Sequence, residues 1–377
     1  MKDVFINAVS SFLPNQAIDN SEIETYLGFI NGQKSRYINV VLRQNGIKKR
    51  YYAINQEQHV THSSAEMARL AIEKLFINNL DLDIDALACA TTIPDQILPS
   101  QASVIQGLLH FKPMEIFSFT GACLTSLQAF KTLELGIRCG MYQNSVACAS
   151  ELLSPALLSN NYDLSYEMKK DPSGKPIIAF EKDFLRFMLS DGAGAVYLSD
   201  KPNTNGNTLK VEWTEIQSYA GHLPNCMTLG CDIDEEYKIT SWKNLTKEEI
   251  VQKNIFVLRQ NTRVLDEYGI KHCVDAIEYG LKKNNVDPST ITYMIPHVSS
   301  MYFYDRLNKE MEKRCIDIPE KRWFTNLCTV GNIGSAAIWV ALDELSNSGK
   351  LIQGDRILLM VPESARFAFG TVLLTVV

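Results

Sequence analysis

Three observations predict an α/β fold. Apolar runs rich in β-branched residues alternate with helical stripes along all 377 residues. No low-complexity linker interrupts the alternation. The two halves of the chain also share one order of helix, terminal glycine and strand, the mark of an internal repeat.

Taken in order, the first half offers strands at "VFINAVSSF", "ALACATTI", "EIFSFTG", "SVACASEL" and "GAGAVYLS". The second half offers "KVEWTEIQSYA", "ITYMIPH", "RILLMVPES" and "GTVLLTVV". Between the third and fourth strands lies a stripe, Leu124, Leu127, Phe130, Leu133 and Ile137, with the spacing of a buried helix. Shifted by 209 residues, Cys123 to Gly140 falls on Asn332 to Gly349, so that Ser126 meets Ser335 and the two glycines coincide. Each segment is followed by a turn and a strand that ends at a glutamate, Glu151 or Glu363. Upstream, "LDIDALACATT" resembles "VDPSTITYMIPH" in the same order. The expected division is therefore 1–205 and 206–377, two pseudo-symmetric halves that aim the helix starts at Cys123 and Asn332 towards one pocket.

Composition narrows the partners. Hydrophobic residues make up 46% and charged residues 21%, which suits a soluble globular protein with a sizeable core. A net charge of −6 argues against nucleic acid or an anionic membrane as the main partner, since either needs a net basic face. The opening "MKDVFINAVSSFLP" lacks a signal-peptide run, and no later run reaches the roughly 18 apolar residues of a membrane span. A cytoplasmic location follows as the expectation. The nine cysteines are odd in number and include no CxxC pair, so neither a disulfide framework nor a metal site is indicated.

Three residues stand out as chemical. Cys123, in "FTGACLTSLQAF", follows a small-residue turn and opens the apolar helix. It reads either as a packed thiol or as a nucleophile whose thiolate the helix N-terminus favours. His297 ends an apolar strand after a proline, where α/β folds expose side chains into a crevice, although a strand-end histidine is often structural. Asn332, in "TVGNIGSAA", reads as a helix cap or as a neutral donor. Together they supply a nucleophile, a proton carrier and a second donor, a set that suits thioester chemistry.

Those three segments resemble the thiolase superfamily, and more closely the β-ketoacyl-[acyl-carrier-protein] synthase III family. The family reads Cys, then His in a "PH" strand end, then Asn in "GN" before "SAA", matched here by Cys123, His297 and Asn332. "LSDGAGAVYL" also looks like the family's "DGAGA" strand; alone it would be a poor dinucleotide fingerprint, because it leads into a strand. The resemblance spans essentially the whole chain. It implies a five-layer α/β/α/β/α fold, a homodimer, no cofactor, and acyl carrier protein or coenzyme A thioesters as partners. It further implies that Cys123 is acylated while His297 and Asn332 stabilise the enolate of a second thioester.

The departures from the pattern are informative. Where priming synthases carry a glycine-rich loop near the C-terminus, this chain has "VPESARFAFG", with the ionisable Glu363 and Arg366. The blocks "SRYINVVLRQNGIKKRYYAI", "WTEIQSYAG", "RWFTNL" and "PESARF" look like the ring-forming subgroup that makes dialkylresorcinol or stilbene precursors. That likeness implies two acyl chains, at least one β-ketoacyl, joined into a cyclohexanedione by a Claisen condensation and a Michael addition. Glu151 is then expected either as the extra base or as a structural strand-end carboxylate, with Arg366 paired to it or to a substrate carboxylate. The alternatives are a synthase or acyltransferase that forms one bond, and a non-catalytic partner subunit, which retention of all three site residues disfavours. The basic cluster Arg36, Arg43, Lys48, Lys49 and Arg50, with Lys34, reads as a solvated surface or as a docking face for an acidic carrier or pantetheine phosphates. Pro155 to Leu189 is expected to be an insertion over the tunnel or a dimer interface.

Overall fold

The computed structural model describes residues 1–76, 83–163, 183–203, 208–234 and 236–377. Every strand expected from the sequence is found. They are β1 (Phe5–Phe12), β2 (Ala86–Thr91), β3 (Glu115–Thr120), β4 (Asn144–Glu151), β5 (Gly192–Ser199), β6 (Leu209–Ser218), β7 (Tyr293–Pro296), β8 (Arg356–Glu363) and β9 (Ala368–Val376). They form one mixed sheet in the order β7-β8-β9-β6-β1-β5-β4-β2-β3. Only two residue pairs, Phe5 with Lys210 and Ile6 with Leu209, join the first-half strands to the second-half strands. The boundary expected at 205 falls within 204–207, outside the described residues.

Alternation along the strands builds the layers. On β2, Ala86, Ala88 and Ala90 belong to the central core, whereas Leu87 and Cys89 face an outer one. On β8, Ile357, Leu359 and Val361 join the central core, and Leu358 and Met360 the opposite outer one. Two helices fill the centre: α3 (Thr125–Arg138), which follows Cys123, and α6 (Ala337–Ser346), which follows Asn332 through the 3-10 turn Gly334–Ala336. They meet through Phe130 and Trp339, with ring centroids 5.3 Å apart. On the outer faces lie α1 (Ser64–Lys74) and α2 (Gln101–Leu109) on one side, and α4 (Thr262–Lys283) and α5 (Met301–Lys313) on the other. The result is the expected five-layer α/β/α/β/α arrangement.

Both central helices fit tightly because a glycine faces each of them. A Cβ on Gly194 of β5 would stand 2.6 Å from the Trp339 Cβ, and one on Gly370 of β9 would stand 2.6 Å from the Leu124 Cδ1. Both helices end at left-handed glycines, Gly140 (φ 79°) and Gly349 (φ 70°), the residue type that such a stop requires. The α3 stripe is wholly buried, as its spacing predicts.

Candidate active site

Cys123 sits in the turn ahead of α3, whose first helical residue is Thr125. The Thr125 hydroxyl donates to the Ala122 carbonyl (2.6 Å) and the Ser126 hydroxyl to the Cys123 carbonyl (3.0 Å), which fixes the turn. Cys123 lines a cleft. His297 lines the same cleft, and its apolar walls include Leu265, Ile270, Phe303, Leu307, Met360 and Phe367. Glu363 lines it as well.

The electrostatics correct one expectation. The helix start was expected to favour thiolate at Cys123; instead burial, reinforced by the negative charges of Glu151 and Glu363, pushes the thiol well above its ordinary value. The resting side chain is a thiol, and it needs a proton acceptor in order to attack.

His297 is buried at the end of β7, and its backbone N–H donates to the Met360 carbonyl (2.8 Å). Burial alone lowers its pKa to about 4, so the ring is neutral near pH 7. Its Nε2 has no hydrogen-bond partner among the described residues. A neutral imidazole offers one N–H donor and one acceptor nitrogen, and a buried nitrogen without a partner is the exception that calls for a ligand or a reacting group.

Asn332 lines a second, small pocket with His297. Its backbone is pinned on both sides, its N–H donating to the Met188 carbonyl (3.1 Å) and its carbonyl accepting from the Ser190 N–H (2.9 Å). The side-chain Oδ1 accepts from the Gly334 N–H (3.0 Å), which caps the following turn. The cap and donor readings are therefore compatible, because the bond to Oδ1 fixes the amide's orientation and leaves its NH2 end as the donor.

Glu151, at the end of β4, is fully buried, and burial raises its pKa. Its Oε1 accepts from the Thr92 hydroxyl (2.7 Å), the Ser335 N–H (2.9 Å) and the Ser335 hydroxyl (2.5 Å), while its Oε2 accepts from the Thr92 N–H (3.0 Å). A Cβ on Gly334 would lie 2.9 Å from that Oε1. The carboxylate thus ties the first-half sheet to the turn that carries Asn332, and the geometry favours the structural reading over the base. Arg366 is exposed and forms no ion pair with Glu151 or any other group among the described residues. Of the two expected pairings, the one to Glu151 is not made, because the turn after Glu363 leaves that side chain exposed.

Of the basic cluster, Lys34, Arg36, Arg43, Lys48 and Lys49 are exposed. Arg50 is not: it is wholly buried, donating to the Asn20 Oδ1 (2.6 Å) and the Phe187 carbonyl. Its assignment to a docking surface is corrected, since this guanidinium cross-links the core and burial lowers its pKa. Residues 164–182 of the expected insertion lie outside the described residues. The stretch from Asp183 to Leu189 is buried, and Arg186 donates to the carbonyls of Leu157 (3.0 Å) and Gly28 (2.8 Å), so this part is core and not a cover. Asp191 of the "DGAGA" strand is likewise a clasp, its carboxylate accepting from the N–H groups of Ala53 (2.7 Å), Leu153 (2.6 Å) and Ser154 (3.0 Å).

Among the described residues no group of three or more His, Cys, Asp or Glu is arranged to hold a metal ion, and no helix is long and apolar enough to cross a membrane.

Comparison with known proteins places this geometry. Residues 281–374 match the family described as 3-oxoacyl-[acyl-carrier-protein] synthase III C terminal. The chain is 23% identical over 360 residues to the β-ketoacyl-[acyl-carrier-protein] synthase III of Clostridium perfringens SM101, covering 96% of this chain and 95% of that one. It is 25% identical over 358 residues to the same enzyme of Clostridioides difficile 630, covering 94% and 93%. Similar solved structures include synthase III from Aquifex aeolicus, with a TM-score of 0.70 at 21% identity, covering 99% of each chain. AbyA1, a tetronic acid condensing enzyme, aligns with a TM-score of 0.76 at 16% identity, again covering 99% of each chain. OleA of Xanthomonas campestris, solved with lauric acid and lauroyl-coenzyme A bound, aligns with a TM-score of 0.74 at 17% identity over 99% of each chain. With its five layers the chain has the fold of the synthase III structures, its C-terminal part matches the synthase III C-terminal family, and over nearly its full length it is similar to β-ketoacyl-[acyl-carrier-protein] synthases III, which are condensing enzymes of the acyltransferase type.

Proposed function

We propose that this ketosynthase joins two acyl thioesters without decarboxylation, at least one of them β-ketoacyl, and closes them into a cyclohexanedione precursor of a dialkylresorcinol or stilbene. The observation that carries the reading is the cleft itself: Cys123 and His297 share an apolar chamber with a carboxylate, in place of a glycine-rich loop. Acylation begins as the neutral His297 ring takes the Cys123 proton and the sulfur displaces the carrier thiol. With a second thioester bound, His297 and the NH2 end of Asn332 donate to its enolate oxygen. A buried donor of this kind contributes about 3 kcal/mol to the barrier. A Claisen step and a Michael step then form the two carbon–carbon bonds.

The names of the relatives support a second reading, a type III synthase that forms one bond. Intact-protein mass separates the two. Wild type and Cys123→Ala are mixed with an unsaturated acyl carrier protein, then with a β-ketoacyl carrier protein, and the products are followed. A Cys123-dependent adduct that discharges to a cyclic dione supports ring formation. Discharge to an open-chain product supports the one-bond reading, and no adduct from any donor overturns both.

Delivery by an acyl carrier protein or coenzyme A is read onto the exposed Lys34, Arg36, Arg43, Lys48 and Lys49. A homodimer is read from the edge strand β3, which among the described residues pairs on one side only, and from the apolar residues Ile97 and Leu98, 80% and 83% exposed. We also read the chain as two halves, 1–205 and 206–377, each supplying one central helix.

A further inference from the structure

Glu151 and Glu363 end corresponding strands of the two halves, β4 and β8, yet their surroundings differ. The Glu151 carboxylate is filled by donors from Thr92 and Ser335 and serves as a tie. The Glu363 carboxylate uses one oxygen, Oε1, to accept from the Ala365 N–H (2.7 Å), and it faces the chamber that holds Cys123 and His297. No cation pairs with it among the described residues. The turn that carries it is fixed from outside: the Gln260 Nε2 donates to the Ser364 hydroxyl (2.9 Å), and the Cys226 N–H to the Ala365 carbonyl (2.8 Å).

We infer that Glu363 is the base that removes the α-proton of the second substrate, a β-ketoacyl thioester, in the cleft opposite Cys123. The assignment rests on the non-decarboxylative reading above, in which no carbon dioxide leaves to create the enolate. The carboxylate takes the proton from the carbon between the two carbonyls and becomes a carboxylic acid. The electron pair left on that carbon forms the new bond to the acyl carbonyl carbon held on Cys123. The Cys123 C–S bond breaks, sulfur leaves as thiolate, and the proton held by Glu363 passes to it, restoring thiol and carboxylate. Burial holds the Glu363 carboxyl above the usual carboxylate range, towards the range of a working base, and the turn N–H groups that it accepts from keep it from rising further. The same surroundings make the Cys123 thiolate a strong proton acceptor at the end of the cycle.

The test uses a two-step, single-turnover experiment on the full chain. Cys123 is loaded with a saturated medium-chain acyl-coenzyme A, excess donor is removed, and 3-oxooctanoyl-coenzyme A is added while the adduct mass and product are followed. In Glu363→Gln, which keeps the oxygen that caps the turn, loading is expected within about threefold of wild type, while discharge falls by about 100-fold or more, the low end of a base's contribution. Glu363→Asp, which retains a carboxylate, is expected to regain part of the discharge rate. Wild-type discharge in Glu363→Gln overturns the base assignment and leaves the two-acyl reading standing. Equal loss of loading and discharge in both variants makes the residue structural and also overturns it. Wild type that condenses a malonyl thioester but not the 3-oxoacyl thioester overturns the two-acyl reading, and the base assignment with it.

Discussion

At the residue scale, burial holds Cys123 and His297 in their uncharged forms. His297 is the clearest case. The folded chain refuses a proton until about pH 4, whereas an unfolded histidine accepts one near 6.5. The unfolded state therefore binds more protons between those values, and stability rises with pH across the window: fully present above about 6.5, lost as the pH falls towards 4. Relative to His297→Asn, wild type should lose about 2 kcal/mol of unfolding free energy between pH 7.5 and 5, read from urea melts of both proteins at each pH. Equal losses in the two proteins would show that the ring titrates normally. Glu151 gives a second prediction of this kind. Its replacement by alanine leaves buried donors of Thr92 and Ser335 without an acceptor, and each such group costs about 1–3 kcal/mol. Glu151→Ala should therefore unfold at lower urea by at least about 3 kcal/mol, whereas a carboxylate acting only as a base would leave stability unchanged.

At the scale of elements, the glycines opposite α3 and α6 set how close the reactive helices come to the sheet. A side chain on Gly194 meets the Trp339 Cβ at 2.6 Å and the Val340 backbone nitrogen at 3.3 Å, neither of which swings aside. Gly194→Val should destabilise the protein by about 1–3 kcal/mol, the range for overpacking, and shift the turn at Asn332 with it; thermal melts and condensation rate check the two effects. The strands were legible because β-branched runs bounded by turns leave little else for a buried segment to be. The helix behind Cys123 was legible from the Leu124 to Ile137 stripe. Less could be read where spacing carries no information about direction. Arg50 sits in a run of basic residues and looks like its neighbours until the fold turns it inward. Glu363 was visible as a departure from a glycine-rich loop, but its proposed role depends on the fold bringing it to the cleft that Cys123 also lines. Glu151 carries the same sequence signal and is consumed by hydrogen bonds that no spacing reveals.

Across the whole molecule, the unpaired edge of β3 and the exposed Ile97 and Leu98 lie on the first half of the chain. Sedimentation at micromolar concentration should give twice the 42.5 kDa chain mass, and a concentration-independent single-chain mass would rule the homodimer out. The thiols are spread through the same architecture, and their order of reactivity follows from where the layers put them. Cys139 and Cys315 are exposed, whereas Cys123 is held as a thiol in a chamber with two carboxylates nearby. An alkylating reagent such as iodoacetamide, which consumes thiolate, modifies the exposed pair first and can saturate them while the cleft thiol stays intact. On the proposed mechanism, blocking reagents are then a poor inventory of the Cys123 cleft, and an acyl thioester, which brings its own leaving group to the histidine, is the reagent expected to titrate it.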